Sequence, residues 1–281
     1  MPAKELTVYK ANQIIEAGYK LSLNEQRVVL ACIAQVDSKS SLLATDEFTL
    51  SAKEFAELFS ISEDHAYSVL TEVTENLFNR YVVVDSVAGT KRKRLKMRWI
   101  SSIEYLADEG KIILCFAQKM LPYLSELKGQ FTRYQLKNIG NMTSIYAIRL
   151  YELLMQWRST GKREVEIAWL KQQFQIEQEY QRMYDLKKYV LEPAVSNINT
   201  HSDIHVSWTQ RKTGRNVTHL IFTFAAKQSA ADAAPKPKEE KLLGVKKSEI
   251  QKRARPGESW EEAARRIKAE DSLQGKRGLK G

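Results

Sequence analysis

Residues 51–100 read SAKEFAELFS ISEDHAYSVL TEVTENLFNR YVVVDSVAGT KRKRLKMRWI, and this stretch decides the fold. Ser51 and Glu54, three residues apart, form a capping box that predicts the start of a short helix. Ser62 predicts the start of a longer helix. The alternating apolar residues that follow predict a β-hairpin with the basic run 91–94 at its tip. Two helices followed by a basic hairpin are typical of a helix-turn-helix with a wing.

The same order of elements occurs twice along the chain, which indicates an internal duplication. In the first half, Ser22 and Glu25 form another capping box that opens an amphipathic helix. The predicted first-half elements are helices over 23–35, 52–59 and 62–79 and a hairpin over 81–100 that turns at Gly89. The predicted second-half elements are helices over 143–157, 169–174 and 178–199 and strands over 163–167, 204–208 and 217–224. The sequence therefore predicts an α+β fold of two tandem winged-helix domains, over 1–128 and 129–225.

Residues 226–281 are predicted to form a flexible basic tail. The segment 225–238 is rich in Ala, Pro and Lys and lacks periodic apolar residues, which is typical of a linker. The tail contains 15 Lys and Arg against 9 Asp and Glu. Ser259 and Glu262 resemble a capping box, which predicts one short helix near the end of the chain. Docking of a partner and simple solubilisation both fit this composition.

The net charge of +10 over 281 residues favours a polyanionic partner, because clustered Lys and Arg gain affinity for nucleic acid by releasing counterions. No apolar run approaches the ~20 residues that a membrane-spanning helix needs, and the first residues do not resemble a secretory signal. The two cysteines, Cys32 and Cys115, fit a reducing compartment. These features predict a cytoplasmic protein without a membrane partner.

The predicted DNA-reading face lies on the long helix of the second half. On a helical wheel Met183, Leu186, Val190 and Ala194 form one apolar stripe, so the opposite face is exposed. Arg can donate two parallel N–H groups to guanine, and Asp can accept from cytosine N4. A solvated helix face is the alternative interpretation. The predicted DNA-binding residues are Gln181, Arg182, Asp185, Lys187, Lys188 and Tyr189 on this helix, Lys91, Arg92, Lys93 and Arg94 in the first hairpin, and Arg211, Lys212 and Arg215 in the second.

The two domains are expected to use different surfaces. The long helix of the first domain contains Glu72 and Glu75 and has no Lys or Arg before Arg80, so phosphates would repel it. We therefore expect the first domain to grip the DNA backbone with its wing and with Arg98, while the second domain reads bases. An edge strand of the first hairpin, 81–103, can also pair with its twin in a dimer; a purely intramolecular sheet is the alternative.

Three segments carry a family resemblance: 131–134 (FTRY), 146–154 (YAIRLYELL) and 180–186 (YQRMYDL). They resemble the iteron-binding plasmid replication initiators of the RepA/RepE type, in the same element order from Gly18 to Phe224. The resemblance implies a protein that binds direct-repeat iterons in double-stranded DNA as a monomer and represses its own promoter as a dimer. It also implies host replication proteins, a helicase and an initiator, as partners. The chain has Lys187-Lys188-Tyr189 where many relatives carry a run of arginines.

Catalytic classes find little support in the sequence, so we expect neither an enzyme nor a cofactor or metal site. A rolling-circle nicking enzyme needs a His-apolar-His metal pair, and the nearest candidate, His201 with His205, spans a helix end and a strand start. No Gly-x-x-x-x-Gly-Lys-Ser/Thr loop is present for ATP. A winged-helix transcriptional or partition repressor stays open as an alternative, because it needs the same grip on DNA as an initiator.

Overall fold

The computed structural model describes residues 6–88, 91–127, 129–227, 241–243, 245–246, 253 and 260–277. The chain separates into two compact units, 1–227 and 228–281. The predicted turn at Gly89, the linker over 228–238 and the capping residue Ser259 lie outside the described residues. No described helix is long and apolar enough to span a membrane.

The first winged helix contains the predicted elements in the predicted order. It is preceded by strand β1 (Thr7–Ala11), helix α1 (Asn12–Ile15) and strand β2 (Gly18–Tyr19). The winged helix itself consists of α2 (Leu23–Ile33), β3 (Glu47–Ser51), α3 (Ala52–Phe59), α4 (Glu63–Leu77), β4 (Tyr81–Ala88) and β5 (Lys91–Arg98). Strands β6 (Ile100–Leu106), β7 (Lys111–Phe116) and β8 (Phe131–Gln135) follow, and β7 and β8 had no sequence prediction. Strand β1 pairs with β8, so the predicted cut between 128 and 129 separates two hydrogen-bonded strands.

The two capping boxes predicted in the first winged helix are confirmed. The Glu25 backbone N–H donates to Ser22 Oγ at 3.2 Å, and the Ser22 N–H donates to Glu25 Oε2 at 2.6 Å. Ser51 and Glu54 exchange the corresponding bonds at 3.2 and 2.9 Å. These bonds satisfy N–H groups that the first turn of a helix leaves without partners, which is why a local pattern locates the helix start so closely.

The first hairpin differs from its prediction in two ways. The basic run 91–94 does not form the tip but belongs to strand β5, because Lys91 to Arg94 pair with Ala88 to Asp85 in an extended ladder. The hairpin also ends earlier than 103. The chain bends at Trp99, which is 1% exposed, and β6 leaves for another sheet of order β3-β7-β6. Burial of the indole therefore separates the wing from the strands that follow.

The second winged helix repeats the arrangement. It consists of α6 (Ile145–Met155), β9 (Lys162–Glu166), α7 (Ile167–Phe174), α8 (Met183–Leu186), a π-helical turn (Lys187–Leu191), α9 (Glu192–His201), β10 (Ile204–Thr213) and β11 (Asn216–Ala226), with α5 (Lys137–Gly140) before it. Its sheet has the order β10-β11-β9. One continuous apolar core runs through both halves. The duplication extends to the turns, since Ser60 after α3 and Gln175 after α7 both have left-handed backbones, with φ of 53° and 55°.

The long second-half helix begins at Met183, not at 178 as predicted. The chain cannot be helical through Tyr180, because its φ is +51°. The helix then passes through a π-helical turn, in which the Glu192 N–H donates to the Lys187 carbonyl. Pro193 lacks an N–H for the carbonyl four residues earlier, which explains an interruption at this point. The apolar stripe consequently widens, and both Val190 and Leu191 are buried.

A polar cluster lies inside the core of unit 1–227. Lys10 from β1 and Glu152 from α6 form an ion pair at 2.8 Å, and the two side chains are 1% and 0% exposed. Tyr134 donates to the same carboxylate at 2.7 Å. Burial and the Glu152 carboxylate together raise the pKa of Tyr134 well above its ordinary value. This cluster joins the first strand of the chain to α6.

The second unit contains a two-stranded hairpin and a helix. Strands β12 (Lys241–Leu242) and β13 (Val245–Lys246) form a hairpin, and helix α10 spans Trp260–Arg277. The helix begins next to the predicted Ser259 and continues beyond the predicted short segment. Ala263, Ala264 and Ile267 bury an apolar face against Val245.

Candidate nucleic-acid interface

The predicted reading residues occupy the exposed face at the start of the second long helix. Gln181, Arg182, Lys187, Lys188 and Tyr189 are exposed. Gln181 lies in the turn before the helix, where its side-chain amide donates to the Glu177 carbonyl at 3.1 Å. Arg182 is the N-cap residue, immediately before the first helical turn. The apolar stripe faces inward as predicted, with Leu186, Val190 and Ala194 buried and Met183 half-buried.

Arg182 and Asp185 form one unit. Arg182 Nε donates to Asp185 Oδ2 at 2.7 Å, and Arg182 Nη2 donates to Asp185 Oδ1 at 3.1 Å. The arginine is 80% exposed and the aspartate 20%. The hydrogen bond and the charge of Asp185 raise the pKa of the guanidinium. The sequence predicted that Arg182 reads a guanine and that Asp185 reads a cytosine, whereas in the structure the two side chains bind each other.

A tyrosine contact holds the turn that precedes this helix. The side chain of Tyr180 is a neighbour of Tyr146 of α6, and burial followed by this neighbour raises the pKa of Tyr146 to about 12. The Tyr180 ring lies 6.3 Å from the Tyr189 ring between centroids. The left-handed residue at the centre of the turn is therefore anchored on both sides.

Tyr184 is an exposed aromatic residue that the sequence analysis did not assign to DNA. It is 64% exposed, and Tyr189 is 53% exposed. Lys188 Nζ lies 5.8 Å from the centroid of the first ring and 5.1 Å from the second. The i, i+4 spacing of Tyr184 and Lys188 could have revealed the pair once the helix start was known. Lys187 faces Glu192, with 3.4 Å between Nζ and Oε1.

The first wing presents a basic edge strand. Six of the eight residues of β5 are Lys or Arg, and Lys91 to Arg94 are all exposed. Arg94 is bidentate with Asp85 on the partner strand, at 2.8 and 3.1 Å. This hydrogen bond lowers the pKa of the Asp85 carboxyl. Arg98 instead donates to the Phe78 carbonyl and stacks on the Phe78 ring, 4.9 Å from its centroid.

The second wing is also basic and turns at Gly214, whose φ is +61°. Lys212 and Arg215 are exposed. Arg211 is paired with Glu164 of β9, and this bond lowers the pKa of the Glu164 carboxyl. As in the first wing, the basic residues lie mainly on the strands, not in the loop that was predicted to carry them.

The first wing lies beside the second helix-turn-helix. A groove of about 520 Å³ separates them, lined by Asp85, Arg94 and Lys96 on the wing and by Trp169 and Gln172 on α7. In the described chain, no hydrogen bond or ion pair joins the exposed residues of 181–189 to either wing. Glu72 and Glu75 of helix α4 are exposed, and the absence of contact between this helix and phosphates stays a prediction.

Known proteins show the same pairing of domains. A sequence profile described as "Initiator Replication protein, WH1" matches residues 7–155, which is more than half of the chain, and one described as "Initiator Rep protein, WH2" matches residues 166–224. The chain belongs to the initiator replication protein family. Both winged helices and the family resemblance are therefore confirmed.

Individual relatives agree with this assignment. A "Replication initiation protein" of Escherichia coli is 29% identical over 227 residues, which cover 78% of this chain and 69% of that protein. A "PI protein" of Escherichia coli is 26% identical over 253 residues, covering 79% and 83%. The fold resembles the "Crystal structure of Pi initiator protein in complex with iteron DNA", with a TM-score of 0.70 at 23% identity, covering 80% of this chain and 99% of that one.

Proposed function

We propose that this initiator opens a plasmid origin by binding iterons in double-stranded DNA as a monomer, and that it represses its own gene as a dimer. Family membership supports the first role, and so does the similar fold of the Pi initiator protein, whose crystal structure is a complex with iteron DNA. The observation that carries the proposal is the exposed Arg182–Asp185 pair at the start of a helix supported by a buried apolar stripe. The proposal also assigns host helicase and initiator proteins as partners.

The first test concerns base reading. Arg182→Ala should weaken binding to the cognate repeat about 5- to 150-fold and relax the choice at one base pair, because a guanidinium on a groove helix discriminates guanine. Binding isotherms on repeats found by footprinting DNA next to the gene, with every single-base variant, measure this. Ser196→Ala, at an exposed position later on the same long helix, is the control and should leave binding unchanged. Equal weakening of cognate and random DNA by Arg182→Ala would contradict the assignment.

The second test concerns the first wing. Lys93→Ala should weaken all sequences alike and reduce the slope of log affinity against log salt by about one, because an exposed lysine on a strand neutralises one phosphate. Arg94→Ala should change the slope less, because Asp85 already neutralises that guanidinium. Titrations at several salt concentrations decide this. A change confined to one base pair would show that the wing reads sequence.

The third test concerns the dimer. Strand β6 carries no Lys or Arg, whereas six of the eight residues of β5 are basic, so β6 is the better edge for pairing with a twin. We expect Ser102→Lys, which charges this edge, to shift the protein towards monomer and to weaken binding to inverted repeats while direct repeats still bind. Sedimentation velocity with and without each DNA measures this, with Ser102→Ala as control. A single species on both direct and inverted repeats, unchanged by Ser102→Lys, would refute the proposal that monomer and dimer bind different repeats.

We further propose that binding is not accompanied by covalent chemistry. In the part of the chain that the structure describes, no three His, Cys, Asp or Glu side chains form a group that could hold a metal ion. Incubation of supercoiled origin DNA with the protein and divalent metal should leave the DNA uncut. Nicked DNA in this incubation would identify an enzyme. A second assay separates an initiator from a repressor: a repressor without an initiator role would bind the same repeats but fail to support replication of a plasmid that carries them.

A further inference from the structure

The Arg182–Asp185 pair leaves one edge of the guanidinium available. Asp185 occupies Nε and one N–H of Nη2, which together form the side of the planar fork. Within the described chain no hydrogen bond engages Nη1. The end of the fork, made by Nη1 and the second N–H of Nη2, therefore points away from Asp185 with two parallel donors. Guanine O6 and N7 accept this pair of donors in the major groove.

Asp185 is poorly placed to read a base by itself. Both of its oxygens are engaged by Arg182, and the carboxylate is 20% exposed, against 80% for the arginine. It is also the third residue of the helix, where a negative charge interacts favourably with the helix dipole. A carboxylate close to DNA repels phosphates, so Asp185 does not raise the overall affinity for DNA and must have another role on this face.

We infer that Asp185 is a positioning residue that holds the end of the Arg182 guanidinium toward a guanine and does not itself accept from cytosine. This inference rests on the proposed function. An unrestrained arginine loses several rotamers when it binds, and this cost falls when the side chain is already oriented in the free protein. The repulsion between Asp185 and the DNA phosphates is therefore offset by the orientation that Asp185 gives to the Arg182 guanidinium.

The test is a double-mutant cycle on cognate, single-base-variant and random DNA. Asp185→Ala should lower cognate affinity about 3- to 10-fold and raise affinity for random DNA, because orientation is lost while a repelling charge is removed. The discrimination that it loses should map to the base pair that Arg182→Ala relaxes. Combined with Arg182→Ala, it should cause no further loss of cognate affinity. Glu192→Ala, which removes the carboxylate paired with Lys187 on the same helix, is the matched control and should leave discrimination unchanged.

A measurement on the free protein separates orientation from helix stability. In the nitrogen-15 spectrum the Arg182 Nε–H should exchange slowly with water, and this protection should disappear in Asp185→Ala and persist in Glu192→Ala. Losses at two different base pairs that add in the double variant would show that Asp185 reads its own base and overturn the inference. Unchanged discrimination in Asp185→Ala would also overturn it. If the unmodified protein binds repeats no better than random DNA, the proposed function itself fails.

Discussion

Glu152→Ala should lower the free energy of unfolding by about 3–5 kcal/mol, because it leaves the Lys10 ammonium buried without its counter-ion. Lys10 is 1% exposed, and its Nζ has the rings of Tyr19 and Trp99 nearby, at 5.8 and 5.9 Å between Nζ and the ring centroids. Tyr134 would lose the acceptor that its hydroxyl now contacts at 2.7 Å. Typical domains are stable by only about 5–15 kcal/mol, so much of the stability would be lost.

Urea denaturation measures this loss. The control is Glu179→Ala, since the Lys20–Glu179 pair has a similar geometry at 3.3 Å but is 64% and 45% exposed. That variant should cost less than about 1 kcal/mol. The double variant Lys10→Met with Glu152→Leu should recover part of the loss, because it removes both charges and fills the space but still leaves the Tyr134 hydroxyl without its acceptor. Equal costs for Glu152→Ala and Glu179→Ala would show that the buried pair contributes no more than a surface pair.

Arg149→Met should cost about 3 kcal/mol or more, because three carbonyl oxygens would lose a donor inside the protein. Arg149 is 2% exposed and donates to Ile15 at 3.3 Å, Ala17 at 2.7 Å and Gln173 at 3.1 Å. The last of these carbonyls belongs to the final turn of α7, where helical carbonyls have no partner within the helix. One guanidinium thus fixes α7 of the second winged helix against the loop before β2.

Chemical denaturation and a substitution series test this role. Arg149→Lys keeps the charge but cannot reach three acceptors, so it should recover only part of the loss. Arg158→Met is the control, because Arg158 pairs with Asp203 at 2.9 Å while 50% exposed, and it should cost less than about 1 kcal/mol. Full recovery by lysine would mean that the charge alone matters and that the three-way bridge does not.

Some features of the interface could be predicted from the sequence because their causes are local. The apolar stripe with Leu186 and Val190 follows from helical periodicity, and it places Lys188 and Tyr189 on the outside. The start of that helix was predicted too early because residues 178–182 are polar and compatible with a helix. The left-handed Tyr180 has Tyr189 on one side and, on the other, Tyr146, which lies 34 positions earlier in the printed sequence and is invisible to a local pattern.

The basic hairpins show a second limit of sequence reasoning. A run such as 91–94 is typical of a solvated tip, because charges are readily hydrated in loops. The structure extends the ladder through it, with Arg94 opposite Asp85. The pairing of Arg211 on β10 with Glu164 on β9 likewise depends on the strand order β10-β11-β9. That order cannot be deduced from the sequence. The sequence placed the basic residues in the correct hairpins, but it did not show whether they lie on the strands or in the loops.

Local sequence patterns were enough to predict the two winged helices, the helix starts at Ser22 and Ser51 in the first of them, and the basic character of both wings. These depend on interactions between residues a few positions apart, and capping and periodicity record such interactions directly. The tertiary structure alone decided that Lys10 meets Glu152 across 142 positions of the chain, and that Arg149 joins α6 to α7. Such partners are chosen by which elements pack together, because a buried charge must find its counter-charge wherever the core brings one within reach.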